Sequence, residues 1–348
     1  MKFLRKTAAF LVGFVLFVAG FLKLMDPVGA GLIVDGYLNW MPLGWLAPLS
    51  KAIGVGLALF ETLLGAAIIT GVWRKAVALV SLVVLGGFTV LTFILWTANP
   101  AMDCGCFGQA IHLTHLQSLL KNVALLALWC AAYLPLGKLE NPAKVKYASF
   151  TITAISVAAF TVWSLLGIPM MDFTPYAPGE RLTPEWDEET AEPLTLPFCD
   201  ASDEYLDSLA FDGAVLVVST YEPDNLSGER LEDISTLMQE ASECGYRPLM
   251  LAASAPDEIA WADSALADRT YFADARTLMT LNRSNGGATI LRGGQIIRKW
   301  AARSYPDVEK LQEIAAADPT EAVISENSGS KLKVQGFLLY VFAVMLLL

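Results

Sequence analysis

The sequence predicts a membrane α-helical bundle that is joined to an α/β domain outside the membrane. Three observations lead to this fold class. Hydrophobic residues make up 55% of the 348 residues and charged residues only 17%, a composition typical of integral membrane proteins. Most long apolar runs lie in the first half of the chain. The second half alternates between strand-like and helix-like patterns.

The charge is distributed unevenly along the chain. Residues 1–170 carry 11 Lys and Arg and 5 Asp and Glu, residues 171–348 carry 13 and 30, and the net charge is −11. Such an asymmetry indicates that the two halves lie in different surroundings. The acidic second half argues against nucleic acid as a partner.

Membrane-spanning helices are predicted from the apolar runs, because a span needs about 20 mostly apolar residues. Five segments qualify, and a shorter sixth lies at the end: Thr7–Met25, Ile53–Thr70, Ala76–Thr97, His115–Leu134, Tyr147–Ile168 and Val334–Leu348. The first segment lacks a clear small-residue cleavage site. We therefore interpret it as a retained helix and not as a signal peptide.

The basic residues predict the orientation of these spans. Three basic clusters fall on one side of the membrane: Lys2, Arg5 and Lys6; Arg74 and Lys75; Lys138, Lys144 and Lys146. Because cytoplasmic loops are enriched in Lys and Arg, we expect the N-terminus to be cytoplasmic. A bacterial inner (cytoplasmic) membrane protein would then expose its cysteine loop and residues 170–330 to the periplasm, where dithiol chemistry is permitted.

Two polar connections separate these regions. Residues Asp26–Ser50 mix proline, glycine and tryptophan, which suits an interfacial lid with Trp40 and Trp45 at headgroup depth. Residues 170–194 are rich in proline and acidic residues and are predicted to form a linker.

The second half is predicted to be an α/β domain of roughly thioredoxin size. Its predicted strands and helices alternate in the order Ala214–Ser219, Leu226–Cys244, Pro248–Ala253, Asp257–Leu266, a hairpin of Ala288–Leu291 with Gln295–Trp300, and Asp307–Ala316. Cys199 and Cys244 lie far apart in this domain, and the sequence does not decide whether they meet.

The segment Asp103-Cys104-Gly105-Cys106-Phe107-Gly108 follows the third span. A disulfide across a Cys-x-Cys turn closes a tight ring, and strain makes such a bond labile. The start of the following helix would stabilise a thiolate. A redox dithiol is the first interpretation, and a structural disulfide or two uninvolved thiols remain alternatives.

The two histidines of the chain, His112 and His115, follow this loop. With Cys104 and Cys106 they have the residue types that bind zinc or copper, but their spacing matches no common zinc module. We expect no metal and keep this set as an alternative. Two solvated imidazoles at the start of a helix account for the pattern equally well.

Charged residues inside the predicted spans are the other candidates. Glu61 lies near the centre of the second span, Lys121 two turns into the fourth, and Lys23 near the outer end of the first. Charges at such depths are costly and should be paired in the bundle interior. The sequence favours Glu61 with Lys121, either as a structural pair or as a proton or substrate site. Cys130 is interpreted as a packing residue.

Three elements carry a family resemblance. They are Phe17-x-x-Gly20-x-x-Lys23-Leu24-x-x-Pro27, Glu61 and the Cys-Gly-Cys-Phe-Gly loop. Together they resemble the DoxX/MauE membrane superfamily, and most closely its longer Bacteroidota chains with an appended soluble domain. The resemblance covers residues 5–135 well and extends more weakly to residue 300. It implies a four-helix membrane core, and MauE-like members are thought to assist periplasmic disulfide formation or protein maturation.

The soluble domain resembles thioredoxins or peroxiredoxins but departs from them at two places. Tyr221-Glu222-Pro223 stands where a Cys-x-x-Cys is expected, and glycine replaces the usual cis-proline before Ala288. Both departures imply that this domain does not exchange disulfides through the usual motif. It is instead expected to bind a protein partner or an extended peptide.

Combining these observations predicts five regions: a DoxX/MauE-like membrane domain (1–137), a fifth span (138–169), the linker (170–194), the thioredoxin-like domain (195–320), and a final linker with a span (321–348). The first functional hypothesis is a membrane thiol–disulfide or maturation protein, in which Cys104 and Cys106 cycle and Glu61 with Lys121 serves protons or a quinone-like acceptor. No other cofactor is expected. The alternative is a non-catalytic membrane subunit whose inactive domain docks a partner.

Overall fold

The structure, a computed structural model, describes residues 2–136, 142–184, 193–255, 258–259 and 266–347. The chain forms two compact units. The first, the membrane unit, comprises Met1–Leu165 with Val334–Leu348, and the second, the sheet unit, comprises Leu166–Lys333.

The membrane unit is built from long helices. Their bounds are α1 Lys2–Met25, α2 Pro27–Trp40, α3 Ser50–Thr70, α4 Arg74–Ala98, α5 His115–Tyr133, α6 Lys144–Leu166 and α10 Pro319–Leu347. A short strand, β1 Cys106–Gln109, lies between α4 and α5. Within the described residues, six helices are long and apolar enough to cross a membrane, and they correspond to the six predicted spans. The last helix begins well before the predicted Val334.

Helices α1 and α3 approach each other closely through glycines. A Cβ atom on Gly20 would lie 2.4 Å from Thr62 Oγ1, and one on Gly65 would lie 2.4 Å from the Phe17 nitrogen. Small residues allow membrane helices to bring their backbones together. This contact fixes which residues of α1 and α3 face each other, and so determines the surroundings of Glu61.

Polar side chains join α4 to α5. Asn122 donates to the Phe88 carbonyl at 3.1 Å and to Thr92 Oγ1 at 3.2 Å. Trp129 donates to the Ala78 carbonyl at 3.1 Å and to the nearby Ser81 hydroxyl. Hydrogen bonds of this kind hold membrane helices together where apolar burial supplies little net attraction.

The predicted interfacial lid contains a regular helix, α2. Asp26 caps its first turn by accepting from the Gly29 amide, and Pro27 occupies the first helical position, where its missing N–H costs nothing. Gly54 on α3 allows α2 to pack closely, because a Cβ there would lie 2.7 Å from the Ala30 oxygen. The helix is therefore held firmly over the N-terminal end of α3.

Helices α6 and α10 pack against α1 through aromatic rings. The Phe21 ring lies 4.8 Å from that of Phe160 and 5.7 Å from that of Phe337. At the far end, the Lys146 ammonium donates to the Met345 carbonyl at 3.2 Å. A cation at this position satisfies the free carbonyls at the end of α10 and complements its dipole.

The sheet unit contains a five-stranded mixed sheet in the order β4-β3-β2-β5-β6. Its elements, in chain order, are β2 Ala214–Thr220, α7 Gly228–Glu243, β3 Arg247–Ala252, β4 Thr270–Phe272, α8 Ala275–Leu281, β5 Gly287–Arg292, β6 Gln295–Trp300 and α9 Val308–Ala316. Strands β2, β3 and β4 run parallel, and β5 and β6 are antiparallel to their neighbours.

Most predicted elements of this unit are confirmed to within a few residues, including both strands of the hairpin. The helix predicted at Asp257–Leu266 lies almost wholly outside the described residues. Strand β4 and helix α8 were not predicted. Asp274 caps α8 by accepting from the Thr277 amide, which is the sequence pattern that marks its start.

Alternating side chains of the sheet build two cores. Leu216 and Val218 point to the side covered by α7 and α9, whereas Val215 and Val217 point to the side covered by α8. All four are fully buried. The two-residue period of a strand produces this division, and it is typical of a sheet that is covered on both faces.

The chain covers both edges of this sheet with its own segments. At the β4 edge, Cys199 and Phe272 exchange two backbone hydrogen bonds of 3.0 and 2.8 Å. At the β6 edge, Ile296 accepts from the Gly179 amide and donates to the Glu180 carbonyl. An extended peptide adds to an open edge, and the chain itself occupies part of each edge at Phe272 and at Ile296.

A buried ion pair fastens the segment that covers the β6 edge. Lys299 Nζ on β6 lies 2.5 Å from Asp172 Oδ2, and both side chains are largely buried. Burial opposes ionisation of Asp172, but the adjacent Lys299 ammonium outweighs it, and the pKa of Asp172 is lowered. The segment after α6 is thereby held against the sheet.

Candidate dithiol site

The cysteine loop connects α4 to α5. Cys104 Sγ and Cys106 Sγ lie 2.9 Å apart, and the five cysteines of the chain, all of which the structure describes, are free. A disulfide bond is about 2.05 Å long, so this pair is two thiols in contact. A small movement would bring them within bonding distance.

The glycine between the two cysteines is required by the backbone. Gly105 has a φ of +63°, a left-handed conformation that side chains with a Cβ adopt rarely. A Cβ there would also lie 2.5 Å from the Ile33 side chain of α2. The loop is closed by a hydrogen bond from the Gly108 amide to the Gly105 carbonyl. The positive φ and the close approach of Ile33 both select glycine at this position. The turn brings the two sulfur atoms to the same side of the loop.

Tyr37 on α2 holds the cysteine loop in place, and this residue was not predicted from the sequence. Its hydroxyl donates to the Cys104 carbonyl at 2.8 Å. Cys104 itself is buried, with 7% of its surface exposed, whereas Cys106 is half-buried. Taken as whole residues, Cys106 is the more exposed of the two.

The two thiols differ in acidity because of their surroundings. Contact with the Cys104 sulfur is the main cause that lowers the pKa of Cys106 to about 5, burial opposes it, and Lys121 and Ser118 lower it further. The same contact, together with burial, raises the pKa of Cys104. A low thiol pKa beside a cation is typical of reactive cysteines.

Two side chains of helix α5, Ser118 and Lys121, act on the cysteines. Thr114 and Gln117 cap each other reciprocally, so that each side chain accepts from the backbone amide of the other residue. The Ser118 hydroxyl is fully buried and has no hydrogen-bond partner among the described residues, so it is free to donate to a sulfur. Ser118 and Lys121 thus add to the causes that lower the pKa of Cys106, and the stabilisation by the helix start stays a prediction.

The predicted ion pair of Glu61 with Lys121 is wrong, because Glu61 pairs with Lys23 instead. Lys23 Nζ lies 2.6 Å from Glu61 Oε2, and both side chains are buried or nearly so. The close α1–α3 contact brings the end of α1 to Glu61. The Lys121 ammonium instead lies 4.9 Å from the centre of the Phe107 ring, next to the cysteines.

These residues meet at one cavity of about 290 Å³. Its polar lining comprises Lys23, Tyr37, Glu61, Thr92, Lys121 and Asn122, together with Cys104 and Cys106. Its apolar lining comes mainly from α2, α3 and α4. All predicted site residues except the histidines therefore lie around a single space, although the role of each remains a prediction.

The histidines make other contacts. His112 Nδ1 lies 2.7 Å from Asp103 Oδ2 in an exposed pair, and His115 Nε2 lies 3.2 Å from the Pro100 carbonyl. No group of three or more His, Cys, Asp or Glu residues in the described parts of the chain is arranged to hold a metal ion.

The remaining cysteines lie away from this site. Cys130 is exposed on α5. Cys199 lies beside Phe272 at the β4 edge, and Cys244 packs with α7 on the side covered by α7 and α9. The structure does not join Cys199 to Cys244.

The fold and site define a class of integral membrane protein: a helical bundle with a cysteine pair at one end and an appended mixed-sheet unit. Residues 1–136 match the family model of methylamine utilisation protein MauE, which supports a MauE-like membrane family for this part of the chain. No curated protein and no solved structure matches the chain.

Proposed function

We propose that this chain is a membrane thiol–disulfide protein that assists the maturation of a partner protein through Cys104 and Cys106. The observation that carries the proposal is the contact of the two free sulfur atoms at the edge of the cavity, 2.9 Å apart. Lys121 supplies the positive charge that a reactive thiolate needs. The MauE match supports a maturation or accessory role.

The proposed reaction is a thiol–disulfide exchange. A thiolate of the partner attacks the oxidised Cys104–Cys106 bond and forms a mixed disulfide, and a second partner thiol resolves it. The partner then holds the disulfide, and Cys104 and Cys106 are left as two thiols. An acceptor must remove two electrons and two protons from them before the next cycle.

The proposed location is a bacterial inner membrane with a cytoplasmic N-terminus. Two basic clusters support this orientation, because they lie at one end of the membrane unit. Arg5 donates to the Ala132 carbonyl at 3.2 Å, and Trp73, beside Arg74, packs on Tyr147. The cysteine loop lies at the other end of α4 and α5 and would face the periplasm.

The sheet unit is proposed to be a thioredoxin-like docking module. Its strand order, with three parallel strands followed by an antiparallel hairpin, supports this assignment. At the end of β2, Asn285 accepts from the Glu222 amide at 3.0 Å and donates to the Glu222 carbonyl at 2.9 Å. The Asn285 side chain thus hydrogen-bonds both backbone groups of Glu222, the residue that stands where a redox motif would be.

The non-catalytic subunit remains the second candidate function. The observation that favours it is the same Asn285–Glu222 pair, because a unit built to exchange disulfides would keep this position open. In that case Cys104 and Cys106 would only support the structure of the loop.

A trapping experiment separates the two functions. In Cys104→Ser, the Cys106 thiolate attacks the disulfide of the matured partner in the reverse of the proposed exchange and releases one partner thiolate. Because Cys104 is not there to resolve the product, the mixed disulfide should accumulate. We expect a covalent complex on non-reducing gels of membranes from the host, which dithiothreitol releases. Cys130→Ser is the matched control and should give no complex.

The second function would be supported by a different result. A stoichiometric partner that copurifies equally well with the native chain, Cys104→Ser and Cys106→Ser, and matures normally in each, would overturn the thiol–disulfide proposal.

A further inference from the structure

We propose that the cavity beside the cysteine pair binds a lipid-soluble quinone, which accepts the electrons of Cys104 and Cys106. This inference rests on the proposed function and names the acceptor that the exchange reaction requires. It is carried by the shape of the cavity, its access from the membrane and the polar groups at the cysteine side.

The cavity has the size and lining of a site for a small apolar molecule. Its volume of about 290 Å³ is close to the lower end of the range of roughly 300–1,000 Å³ that is usual for ligand sites. The wall is formed by aliphatic and aromatic side chains, among them Val34, Leu57, Phe88 and Leu91. A flat ring system fits such a space better than a charged peptide does.

One residue that lines the cavity also lies on the exposed surface of the bundle. Leu57 lines it and is also 51% exposed on α3, a helix that is long and apolar enough to span the membrane. On the neighbouring surface of α3, a Cβ on Gly56 would meet no atom within 4 Å. A molecule dissolved in the bilayer would reach the cavity past Leu57, which separates it from the lipid-facing surface.

Hydrogen-bond donors stand at the cysteine side of the cavity. The Lys121 ammonium lines it, contacts the Phe107 ring and Cys106, and forms no ion pair within the described residues. Lys23 lines it as well but is held by Glu61. A quinone presents a carbonyl oxygen that accepts such a bond and gains negative charge as it is reduced, so Lys121 stabilises the reduced form.

The reaction balances with the groups that are present. The bond that forms joins Cys104 Sγ to Cys106 Sγ, in which Cys106 reacts as the thiolate and Cys104 loses its thiol proton. The quinone takes the two electrons and two protons and leaves as the quinol. The Lys121 ammonium holds the ring oxygen and donates one of the two protons to it, and water then reprotonates Lys121.

Single-turnover oxidation of the full chain in proteoliposomes tests the proposal. The reduced protein, freed of dithiothreitol, is mixed with decylubiquinone, whose fully substituted ring resists direct addition of thiols. We expect one quinol and one Cys104–Cys106 disulfide per chain, measured by absorbance and by maleimide mass-tagging. Cys104→Ser and Cys106→Ser should abolish the reaction, and Cys130→Ser should retain it.

Blocking the lateral opening supplies the specific control. Leu57→Trp should slow oxidation by decylubiquinone at least about tenfold relative to oxidation by diamide, a water-soluble oxidant that does not need the cavity. Leu57→Phe should give a smaller effect in the same direction. Leu79→Trp, on an exposed part of α4 away from the cavity, should keep both rates.

Two failures are distinguishable. If diamide oxidises the pair but decylubiquinone leaves it reduced, or if Leu57→Trp and Leu79→Trp behave alike, the quinone site is overturned and the proposed function stands. If neither diamide nor a glutathione redox buffer oxidises the pair, the proposed function itself fails.

Discussion

Lys23 shows what sequence reasoning misses at the scale of single residues. Depth along the spans suggested Lys121 as the partner of Glu61, because both lie at similar distances from the outer surface. The structure selects Lys23 because Gly20 brings α1 against α3 one turn away. Side-chain partners inside a bundle depend on which helices touch, and a single sequence does not contain that information.

Removing one member of the Lys23–Glu61 pair should destabilise the membrane unit. Glu61→Leu leaves the Lys23 ammonium buried without a counter-charge, and we expect a loss of about 3 kcal/mol in the free energy of unfolding. Glu61→Gln keeps an acceptor and should lose less. Thermal denaturation in detergent measures both, and the double variant Lys23→Met/Glu61→Leu should recover most of the loss. A double variant no more stable than Glu61→Leu would contradict this account.

The acidity of Cys106 predicts a distinct pH dependence of its reactivity. Because its pKa is lowered to about 5, the thiolate fraction, and with it the alkylation rate by iodoacetamide, should be half-maximal near pH 5 and level at neutral pH. An ordinary thiol reaches that point near about pH 8.5. Lys121→Met removes a favourable charge and should move the midpoint upward.

The alkylation rate is also measured in Cys104→Thr and in Cys130→Ser. The first variant removes the main cause of the lowered Cys106 pKa, and the second removes a cysteine away from the site. Loss of Cys104 should raise the Cys106 midpoint, because contact with Cys104 is the largest cause that lowers the pKa. A midpoint near that of a free thiol in the native chain would contradict the assigned environment.

At the scale of elements, the long helices were predictable because an uninterrupted run of about 20 apolar residues is typical of a membrane span. Helix α2 was missed as a helix although its Asp26-Pro27 start is a recognised capping pattern, since its glycines and tryptophans suggested an irregular lid. Helix α8 has only seven residues, Ala275–Leu281, too few for a clear helical period.

The glycine contact between α1 and α3 makes an element-scale prediction. Gly20→Ala places a Cβ 2.4 Å from Thr62 Oγ1 and 2.6 Å from the Ala58 oxygen, so the helices must move apart. We expect a loss of about 1–3 kcal/mol in stability, as is usual for overpacking. Gly56→Ala, whose added methyl would meet no atom within 4 Å, is the matched control. Equal melting temperatures for the two variants would argue against this contact.

At the scale of the whole molecule, the sequence located the cysteine loop and the buried charges but not the cavity that unites them. The loop was recognisable from six consecutive residues. The cavity combines α1 to α5, and its key contact from Tyr37 to the Cys104 carbonyl joins residues 67 positions apart. Such contacts follow only from the packing of several helices.

The orientation is testable by labelling with a membrane-impermeant maleimide. In a variant lacking the native cysteines, Ser202→Cys should be labelled in cells whose outer membrane is permeabilised, because the sheet unit is proposed to be periplasmic. Lys75→Cys should be protected until the inner membrane is broken. Both positions are exposed, so a reversed pattern would directly contradict the proposed orientation.

The most direct test of the central claim is a redox titration of Cys104 and Cys106 in the full chain. The protein is equilibrated with glutathione buffers, trapped without denaturant, and counted by maleimide mass-tagging. We predict a single reversible two-electron transition that Cys104→Ser and Cys106→Ser abolish and Cys130→Ser preserves. A pair that stays oxidised in strong reductant, or stays reduced in every buffer, would contradict the claim that it is a redox dithiol.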